Sequence, residues 1–358
     1  MVIEQYTITN KYNFPQLAID TILPQRFLEQ SLYSLKQVQQ QPLQLNQQFQ
    51  QLNTTEQYPH NLQLKQQPIT LKPDHQETII AAIDTSTIKI GETSTGMLVA
   101  VRGATTWRQN RTYKYTRLGP FIFHITEDNK NQLYNTLERA YFSTTYGSMH
   151  QAAPNIMQMP LRLASLLERW LQIMLAKTVN NGVLLFDGSL TSGTPETPAQ
   201  RLKEILSYAR RNNTTVLAFS KATTLRANGV LITEQLPKQE PPYLLETVGL
   251  RSKPPQVLLG EVYVARLNKA NIAFRLDIDK ETDFSQRIEA IQRLLGNDIY
   301  SQSYPETLRL SHILCTFTAN EVLAIKHFLT RKHGIQIINR PDMHKLLFGP
   351  FGSGEAYA

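Results

Sequence analysis

The sequence predicts an α/β fold in which helices flank a mixed five-stranded sheet, with extra strands and helices towards the C-terminus and a helical N-terminal segment. Two observations support this prediction. Three strand-like stretches with short connections follow each other over 78–125, which is typical of an antiparallel meander. A strand–helix–strand unit follows over 182–221, and its apolar strands indicate parallel pairing.

Each element of this fold is predicted from local periodicity and composition. The first three strands are TIIAAIDTSTIKI (78–90), TGMLVAVRGATTW (95–107) and YTRLGPFIFHI (115–125). Helical patterns cover about 129–146 and 158–178, before the fourth strand GVLLFDGSL (182–190), a helix over about 197–211 and the fifth strand TTVLAFSK (214–221). Two further strands are predicted in 256–267 and 271–279, and helices over 283–295 and about 306–332.

Residues 1–75 differ in composition from the rest of the chain. They are rich in glutamine, and Leu28, Leu32 and Leu35 lie near helical spacing, so we predict a helix or a helical pair there. A partly disordered polar arm is the alternative. PITLKPD (68–74) is interpreted as a linker into a main domain over 76–358.

Composition limits the class of protein. The chain has 358 residues, and a formal net charge of +8 with a pI near 9.4 favours polyanionic partners, nucleic acid above all. The single cysteine, Cys315, excludes a disulfide framework or a zinc site built from cysteines, and is expected to be a small buried side chain. Without an 18-residue apolar run or a signal pattern, we expect a soluble, cytoplasmic protein with no membrane partner.

Two aspartates occupy equivalent places in this pattern. Asp84 in IIAAIDTS and Asp187 in VLLFDGS each follow an apolar run and precede a small residue or threonine and then a serine. Either residue alone is explained by capping of the following turn. On neighbouring strands, about 4.8 Å apart, the two carboxylates would face each other, and a divalent cation is their natural occupant.

Two more residues are candidate ligands on predicted helices. Glu168 lies at the border of the polar stripe of its helix, and the alternative is a surface acid that pairs with Gln172 or Arg169. His312 shares one helix face with Leu308 and Cys315, at i, i+4 and i+7 spacing, and the alternative is a buried histidine that binds no metal.

These residues together resemble the NurA nuclease family. The segments that carry the resemblance are AAIDTS, the helical Glu168, LLFDGSL, LAFSK and a late YP…L…SH, in a consistent order over about 77–330. The resemblance implies a ribonuclease H-like fold, with carboxylates on the first and fourth strands of the sheet. It also implies that Asp84, Glu168, Asp187 and His312 are the catalytic and metal-binding residues.

The resemblance implies a function as well. NurA-like proteins are Mn²⁺- or Mg²⁺-dependent DNA nucleases that process DNA ends in double-strand break repair with a HerA-type hexameric ATPase. We therefore expect one or two Mn²⁺ ions, or Mg²⁺, a 5′–3′ exonuclease or single-strand endonuclease activity, and a homodimer. The alternatives are a non-catalytic nucleic-acid-binding module on the same fold and a related nuclease that acts on RNA.

Candidate DNA contacts lie in the basic, aromatic stretch VRGATTWRQNRTYKYTR (101–117) and after the fifth strand. Cations that neutralise phosphates and rings that stack on bases are typical of single-strand binders. The predicted contacts are Arg102, Trp107, Arg108, Arg111, Lys114 and Lys221. The alternatives are a hairpin whose aromatic residues form cross-strand pairs, and a solvent-facing Lys221.

Overall fold

The computed structural model describes residues 22–38, 62–142, 153–194, 198–270, 272–301 and 303–338. Its helices are α1 (Ile22–Val38), α2 (Lys130–Phe142), α3 (Met159–Thr178), α4 (Ala199–Arg211), α5 (Phe284–Asn297), α6 (Glu306–Cys315) and α7 (Ala319–His333). None of the helices in these ranges is long and apolar enough to cross a membrane.

Sixteen strands are found in the same ranges. The first ten are β1 (Gln63–Leu64), β2 (Ile69–Thr70), β3 (Ile80–Glu92), β4 (Gly96–Gln109), β5 (Thr112–Thr126), β6 (Val183–Asp187), β7 (Thr191–Ser192), β8 (Thr215–Ser220), β9 (Arg226–Ala227) and β10 (Val230–Leu231). The remaining six are β11 (Tyr243–Val248), β12 (Val257–Leu258), β13 (Gly260–Arg266), β14 (Phe274–Asp279), β15 (Tyr300–Ser301) and β16 (Tyr304–Pro305).

The predicted five-stranded mixed sheet is confirmed. Its strand order is β5-β4-β3-β6-β8, in which β3, β4 and β5 are antiparallel while β6 and β8 run parallel to β3. The first and fourth of these strands are β3 and β6, which carry Asp84 and Asp187. The α/β class and the placement of both carboxylates therefore follow the sequence prediction.

The sheet is larger than the five strands predicted for its core. β14 pairs antiparallel with β8, and β13, β11 and then β1 and β2 continue it to ten strands. β13 and β14 correspond to the two extra strands expected from the sequence. β11 was not predicted, because its six residues are too few for a clear alternation and they follow Pro241-Pro242.

Alternate residues of the central strands face two separate cores. Ala81 and Ile83 of β3 pack with α3 and α4, whereas Ile80 and Ala82 pack with α5 and α6. This alternation is the period of two that any strand imposes on its side chains. Asp84 continues the face of Ile80 and Ala82, so the fold directs it towards α6.

The N-terminal segment is described in part. The predicted helix is present as α1, whose Phe27 ring packs 5.5 Å from Phe121 and 5.7 Å from Phe123 on β5. Residues 1–21 and the glutamine-rich stretch 39–61 lie outside the described residues, so the choice between a second helix and a polar arm stays a prediction.

The predicted helix over about 306–332 is two helices, a correction to the sequence analysis. α6 ends at Cys315 and α7 begins at Ala319, with Thr318 as its N-cap. Thr318 and Glu321 form a reciprocal capping box, in which each side chain accepts a hydrogen bond from the other residue's backbone N–H. This box stabilises a helix start inside a stretch whose periodicity alone predicts one continuous helix.

Candidate metal centre

The two aspartates lie side by side in the sheet. β3 and β6 pair in parallel through Ile80–Val183, Ala81–Leu184 and Ala82–Leu185. Two residues further along the same register, Asp84 is opposite Asp187, and both continue the face towards α6. The expectation that the two carboxylates occupy neighbouring strands is therefore met by the register.

Asp84 lies within β3, which continues to Glu92, so it does not end the strand and cap a turn. Its Oδ1 accepts a hydrogen bond from the Thr85 amide at 2.7 Å, and its Oδ2 lies 2.7 Å from Nδ1 of His312. Burial raises the pKa of the Asp84 carboxyl above its usual range, and the charge of Asp187 raises it further, while the bond to His312 lowers it. A nearby positive charge favours the ionised form of a carboxyl whose pKa is raised in this way.

Asp187 is the last residue of β6, at the edge where the parallel strands β6 and β8 both end. Gly188 follows with φ of +103°, a conformation that L side chains rarely adopt, so the chain turns away directly after the carboxylate. Lys221, the first residue after β8, places its Nζ 2.7 Å from Asp187 Oδ2. The Tyr304 hydroxyl lies 3.5 Å from the other oxygen.

Glu168 lies on α3, the helix that packs on the other face of β3. It is half-buried, and its Oε1 accepts a hydrogen bond at 3.0 Å from Gln172, one turn along the helix. Gln172 is buried and also accepts a bond at 2.6 Å from Arg169. Burial raises the pKa of the Glu168 carboxyl, Arg169 lowers it, and the charges of Asp84 and Asp187 raise it. Glu168 thus pairs with Gln172, as the alternative of a surface acid predicts. Its pKa is also raised by the charges of both aspartates.

His312 and Cys315 come from the same face of α6. Two bonds from the sheet fix the end of this helix: Ser86 Oγ donates to the Cys315 carbonyl at 2.7 Å, and Arg102 Nη1 to the Thr316 carbonyl at 3.2 Å. The His312 side chain is about half exposed, at 52%. It is therefore an accessible ring bonded to Asp84, in contrast to the buried histidine considered as the alternative.

The donor set fits a divalent cation. Asp84, Asp187 and Glu168 offer carboxylate oxygens, and the charges of both aspartates raise the pKa of Glu168. His312 adds an imidazole nitrogen beside Asp84. Hard oxygen ligands with one imidazole suit Mn²⁺ and Mg²⁺, so the residues present are compatible with the ions expected from the sequence.

Comparison with solved structures finds several of related shape. The NurA nuclease from Sulfolobus solfataricus is similar at 14% identity, over 74% of this chain and 88% of that one, with a TM-score of 0.48. A second NurA structure matches at 10% identity over 74% and 91%, with a TM-score of 0.39. Endonuclease V from Bacillus subtilis matches at 14% identity over 74% and 86%, with a TM-score of 0.34. No protein-family model matches the sequence, and no curated protein sequence matches it.

Two of the predicted DNA contacts need correction. Arg102 is buried, binds both carboxylate oxygens of Glu321 at 3.2 and 2.9 Å, and stacks 4.3 Å above the Phe317 ring. Trp107 is 5% exposed and belongs to the core beneath α3. A phosphate or base contact requires an accessible side chain, so these two residues have structural roles.

The rest of the basic stretch lies away from the carboxylates. β4 and β5 form a hairpin whose turn is Asn110-Arg111, both with positive φ. Because Arg108 pairs with Ile80, four residues before Asp84, the turn lies roughly 20 Å along the strands from the centre. Arg108 is half-buried and donates to the Asn297 carbonyl, Lys114 is half-buried on β5, and Arg111 is exposed. Lys221 is the predicted contact that lies at the centre itself.

Three residues at the centre were not singled out as site residues from the sequence. Tyr304 and Gln172 contact Asp187 and Glu168 directly, and Cys315 lies beside Asp84. Cys315 shares the i, i+3 face of His312, which was the available signal for it. Gln172 lies at i, i+4 spacing from Glu168, the spacing on which the sequence analysis expected the two to pair. Tyr304 has no such signal, because a tyrosine before a helix is common in any fold.

Proposed function

We propose that this protein is a divalent-metal-dependent nuclease that hydrolyses phosphodiester bonds in DNA. The observation that carries this proposal is that Asp84 and Asp187 face each other on adjacent strands, with His312 bonded to Asp84 and with Glu168 near enough for both charges to raise its pKa. Acidic groups whose pKa is raised by a neighbouring carboxylate, as those of Asp84 and Glu168 are, are characteristic of functional positions. A positive net charge of +8 favours a polyanionic substrate.

The proposed roles follow from the contacts of each side chain. Asp84 and Asp187 would hold one or two metal ions, with Glu168 and His312 as further ligands. A bound divalent ion supplies positive charge at the phosphate and lowers the pKa of water, which makes a hydroxide nucleophile accessible at neutral pH. Hydrolysis forms a bond from water oxygen to phosphorus and breaks a phosphorus–oxygen bond, and the leaving oxygen takes up a proton.

Two side chains of the centre contribute directly to substrate binding and proton transfer. Lys221 supplies an ammonium group beside Asp187, where it would neutralise a phosphate oxygen once a metal occupies the aspartate. His312 is held by Asp84 through Nδ1 and is half exposed, so its ring can exchange a proton with the reacting groups if it is not a metal ligand.

The finer proposal concerns substrate and assembly. We propose that the substrate is a DNA end, degraded 5′–3′ or cut within single strands during double-strand break repair, with Mn²⁺ as the preferred ion. We further propose a homodimer that works with a HerA-type translocating ATPase. These points rest on the resemblance of the motifs around Asp84, Glu168, Asp187 and His312.

A pure binding module on the same fold is the competing function. Such a module would have no use for three mutually repelling carboxylates at the point where it meets a polyanion, because each of them weakens phosphate binding. The acidic centre therefore favours catalysis over binding alone.

Substitution of Asp187 by asparagine tests the proposed function. Asp187→Asn removes one metal-ligating charge with almost no change in size, so we expect loss of metal-dependent cleavage and unchanged or tighter DNA binding. End-labelled linear duplex, single-stranded DNA and RNA are incubated with the protein in Mn²⁺, Mg²⁺ or chelator, and binding is measured in parallel.

The matched control is Asp128→Asn, the same chemical change in the exposed turn between β5 and α2. This variant should cleave like the wild type. Cleavage that persists in purified Asp187→Asn contradicts the proposed site. Binding without cleavage by the wild type in every metal supports the binding module, and cleavage confined to RNA contradicts the proposed substrate.

A further inference from the structure

Cys315 occupies an unexpected position for a cysteine that only fills space. It is the last residue of α6, fully buried, and its Sγ lies 3.2 Å from the carbonyl of His312 one turn earlier. Its Sγ lies within 4.8 Å of a carboxylate oxygen of Asp84. Burial raises the pKa of the free thiol, and the charge of Asp84 raises it further. The one cysteine of the sequence therefore lies against a carboxylate of the proposed catalytic centre.

Three different metal-ligating groups meet at this point. One ligand atom from each of Asp84, His312 and Cys315 can be chosen so that all lie within 4.8 Å of one another. Around a tetrahedral zinc ion, ligand atoms are about 3.5 Å apart, since zinc–ligand bonds are about 2.0–2.3 Å. Small side-chain movements would bring the three groups to that spacing, with the 2.7 Å contact between His312 and Asp84 replaced by two bonds to the metal.

The donor set of this cluster differs from that of the hard-metal centre. A thiolate with an imidazole and one carboxylate favours Zn²⁺ and softer ions, whereas Mg²⁺ and Mn²⁺ prefer oxygen ligands. Three protein ligands with a fourth position open to water is also a common zinc arrangement. Asp84 and His312 belong to both sets, so the two kinds of ion would compete.

We propose that Asp84, His312 and Cys315 form a binding site for zinc-class divalent ions that overlaps the site for Mn²⁺ or Mg²⁺. Binding releases the thiol proton of Cys315 to solvent and joins the sulfur to the metal. Occupancy withdraws Asp84 and His312 from the hard-metal centre, and zinc therefore inhibits the enzyme. The inhibition rests on the proposed nuclease function, whereas the zinc site does not.

Cobalt spectroscopy of the reduced wild-type protein tests the site without any activity measurement. Co²⁺ replaces Zn²⁺ with similar ligands, and a bond to a thiolate gives a near-ultraviolet charge-transfer absorption. Because the chain has one cysteine, any such absorption reports Cys315. We expect the band to appear on addition of Co²⁺ and to disappear on addition of Zn²⁺. Cobalt binding without a thiolate band would overturn the proposal.

Two variants make the test specific. Cys315→Ser should abolish the band and weaken Zn²⁺ binding at least about tenfold, since loss of a supporting group alone costs about 10–100-fold in affinity. His327→Gln, on the exposed surface of α7, controls for adventitious binding to histidine and should keep the wild-type affinity. Equal zinc affinity in Cys315→Ser and wild type would also overturn the proposal.

Sensitivity of cleavage to zinc is then compared within each variant, relative to its own activity in Mn²⁺. Zinc should inhibit the wild type and His327→Gln at concentrations at least about tenfold lower than Cys315→Ser. A wild type that binds cobalt through sulfur but cleaves no DNA would contradict the nuclease function and leave the zinc site standing. Equal inhibition of all three proteins would contradict the link between Cys315 and inhibition.

Discussion

At the scale of single residues, Lys221 compensates the negative charge of Asp187 when no metal is bound. Lys221 places its ammonium group 2.7 Å from one Asp187 oxygen, and the Lys221 side chain is 43% exposed. An exposed ion pair contributes little to stability, so this contact has little effect on folding. Under the proposed function, a cation bound at Asp187 would release Lys221 towards the substrate.

We expect Lys221 to contribute to phosphate binding and Arg111 not to do so. The Asp187→Asn variant is the background of choice, since it should bind single-stranded DNA without cutting it. Adding Lys221→Met should reduce the slope of log affinity against log salt by about 0.7, the value for one phosphate contact to a single strand. Adding Arg111→Ala, an exposed cation at the far hairpin turn, should leave the slope unchanged.

Salt titrations of the three proteins check this expectation. Equal slopes in the Lys221 and background proteins would exclude a phosphate contact by Lys221. A reduced slope with Arg111→Ala would instead show that the basic hairpin contacts DNA, which is one of the two hypotheses drawn from the sequence.

At the scale of elements, the placement of α6 depends on the junction with α7. Arg102 on β4 binds Glu321 of α7 through both guanidinium nitrogens and the Thr316 carbonyl through one of them. Arg117 on β5 adds a bond to Glu321 at 3.1 Å. These contacts hold the chain immediately after α6 against the sheet, and thus keep His312 beside Asp84.

The lowered pKa of Glu321 makes the contribution of this junction to stability depend on pH. Burial raises that pKa, but the bonds and charges of Arg102, Arg117 and the Thr318 amide outweigh it and lower the pKa from 4.5 to about 2. A carboxyl with a lowered pKa in the folded state stabilises the protein above its unfolded value, and this stabilisation is lost as the pH falls through the folded value. The stabilisation by Glu321 is therefore lost as the pH falls from 4.5 to about 2.

We expect Glu321→Gln to lower the free energy of unfolding by about 1–3 kcal/mol at neutral pH, because Arg102 loses a charged partner while buried. The difference from wild type should shrink as the pH falls from 4.5 towards 2, where the wild-type carboxyl is protonated as well. Denaturant unfolding at several pH values in this range measures the difference in the free energy of unfolding. Glu29→Gln, in the exposed pair with Arg26, is the control. A difference that is independent of pH would contradict the role of the charge.

Prediction from sequence succeeds where an element is defined by its own residues. The alternation in β3, β4 and β5 and the apolar runs of β6 and β8 are local, so these strands could be predicted. That the strands of Asp84 and Asp187 are neighbours was implied by the resemblance to a ribonuclease H-like fold. The break between α6 and α7 also had a local signal, the Thr318 and Glu321 capping box. It was missed because the apolar periodicity continues across it.

At the scale of the whole molecule, the missing information is long-range. The bond between His312 and Asp84 joins residues 228 positions apart, and that between Arg102 and Glu321 residues 219 apart. No period in the sequence states which face of α6 meets β3 or that Arg102 is buried beneath Phe317. Sequence patterns therefore identified the candidate carboxylates and the net positive charge. The structure was needed to distinguish buried cations such as Arg102 from exposed ones such as Lys221.

The central claim is that side chains from β3, β6, α3 and α6 form one binding site for a divalent metal ion. Calorimetric titration with Mn²⁺ tests it directly, using wild type, Asp84→Asn and Asp128→Asn. We predict that wild type and Asp128→Asn bind Mn²⁺ alike, while Asp84→Asn binds at least about tenfold more weakly. Equal Mn²⁺ affinity in Asp84→Asn and wild type would contradict the account.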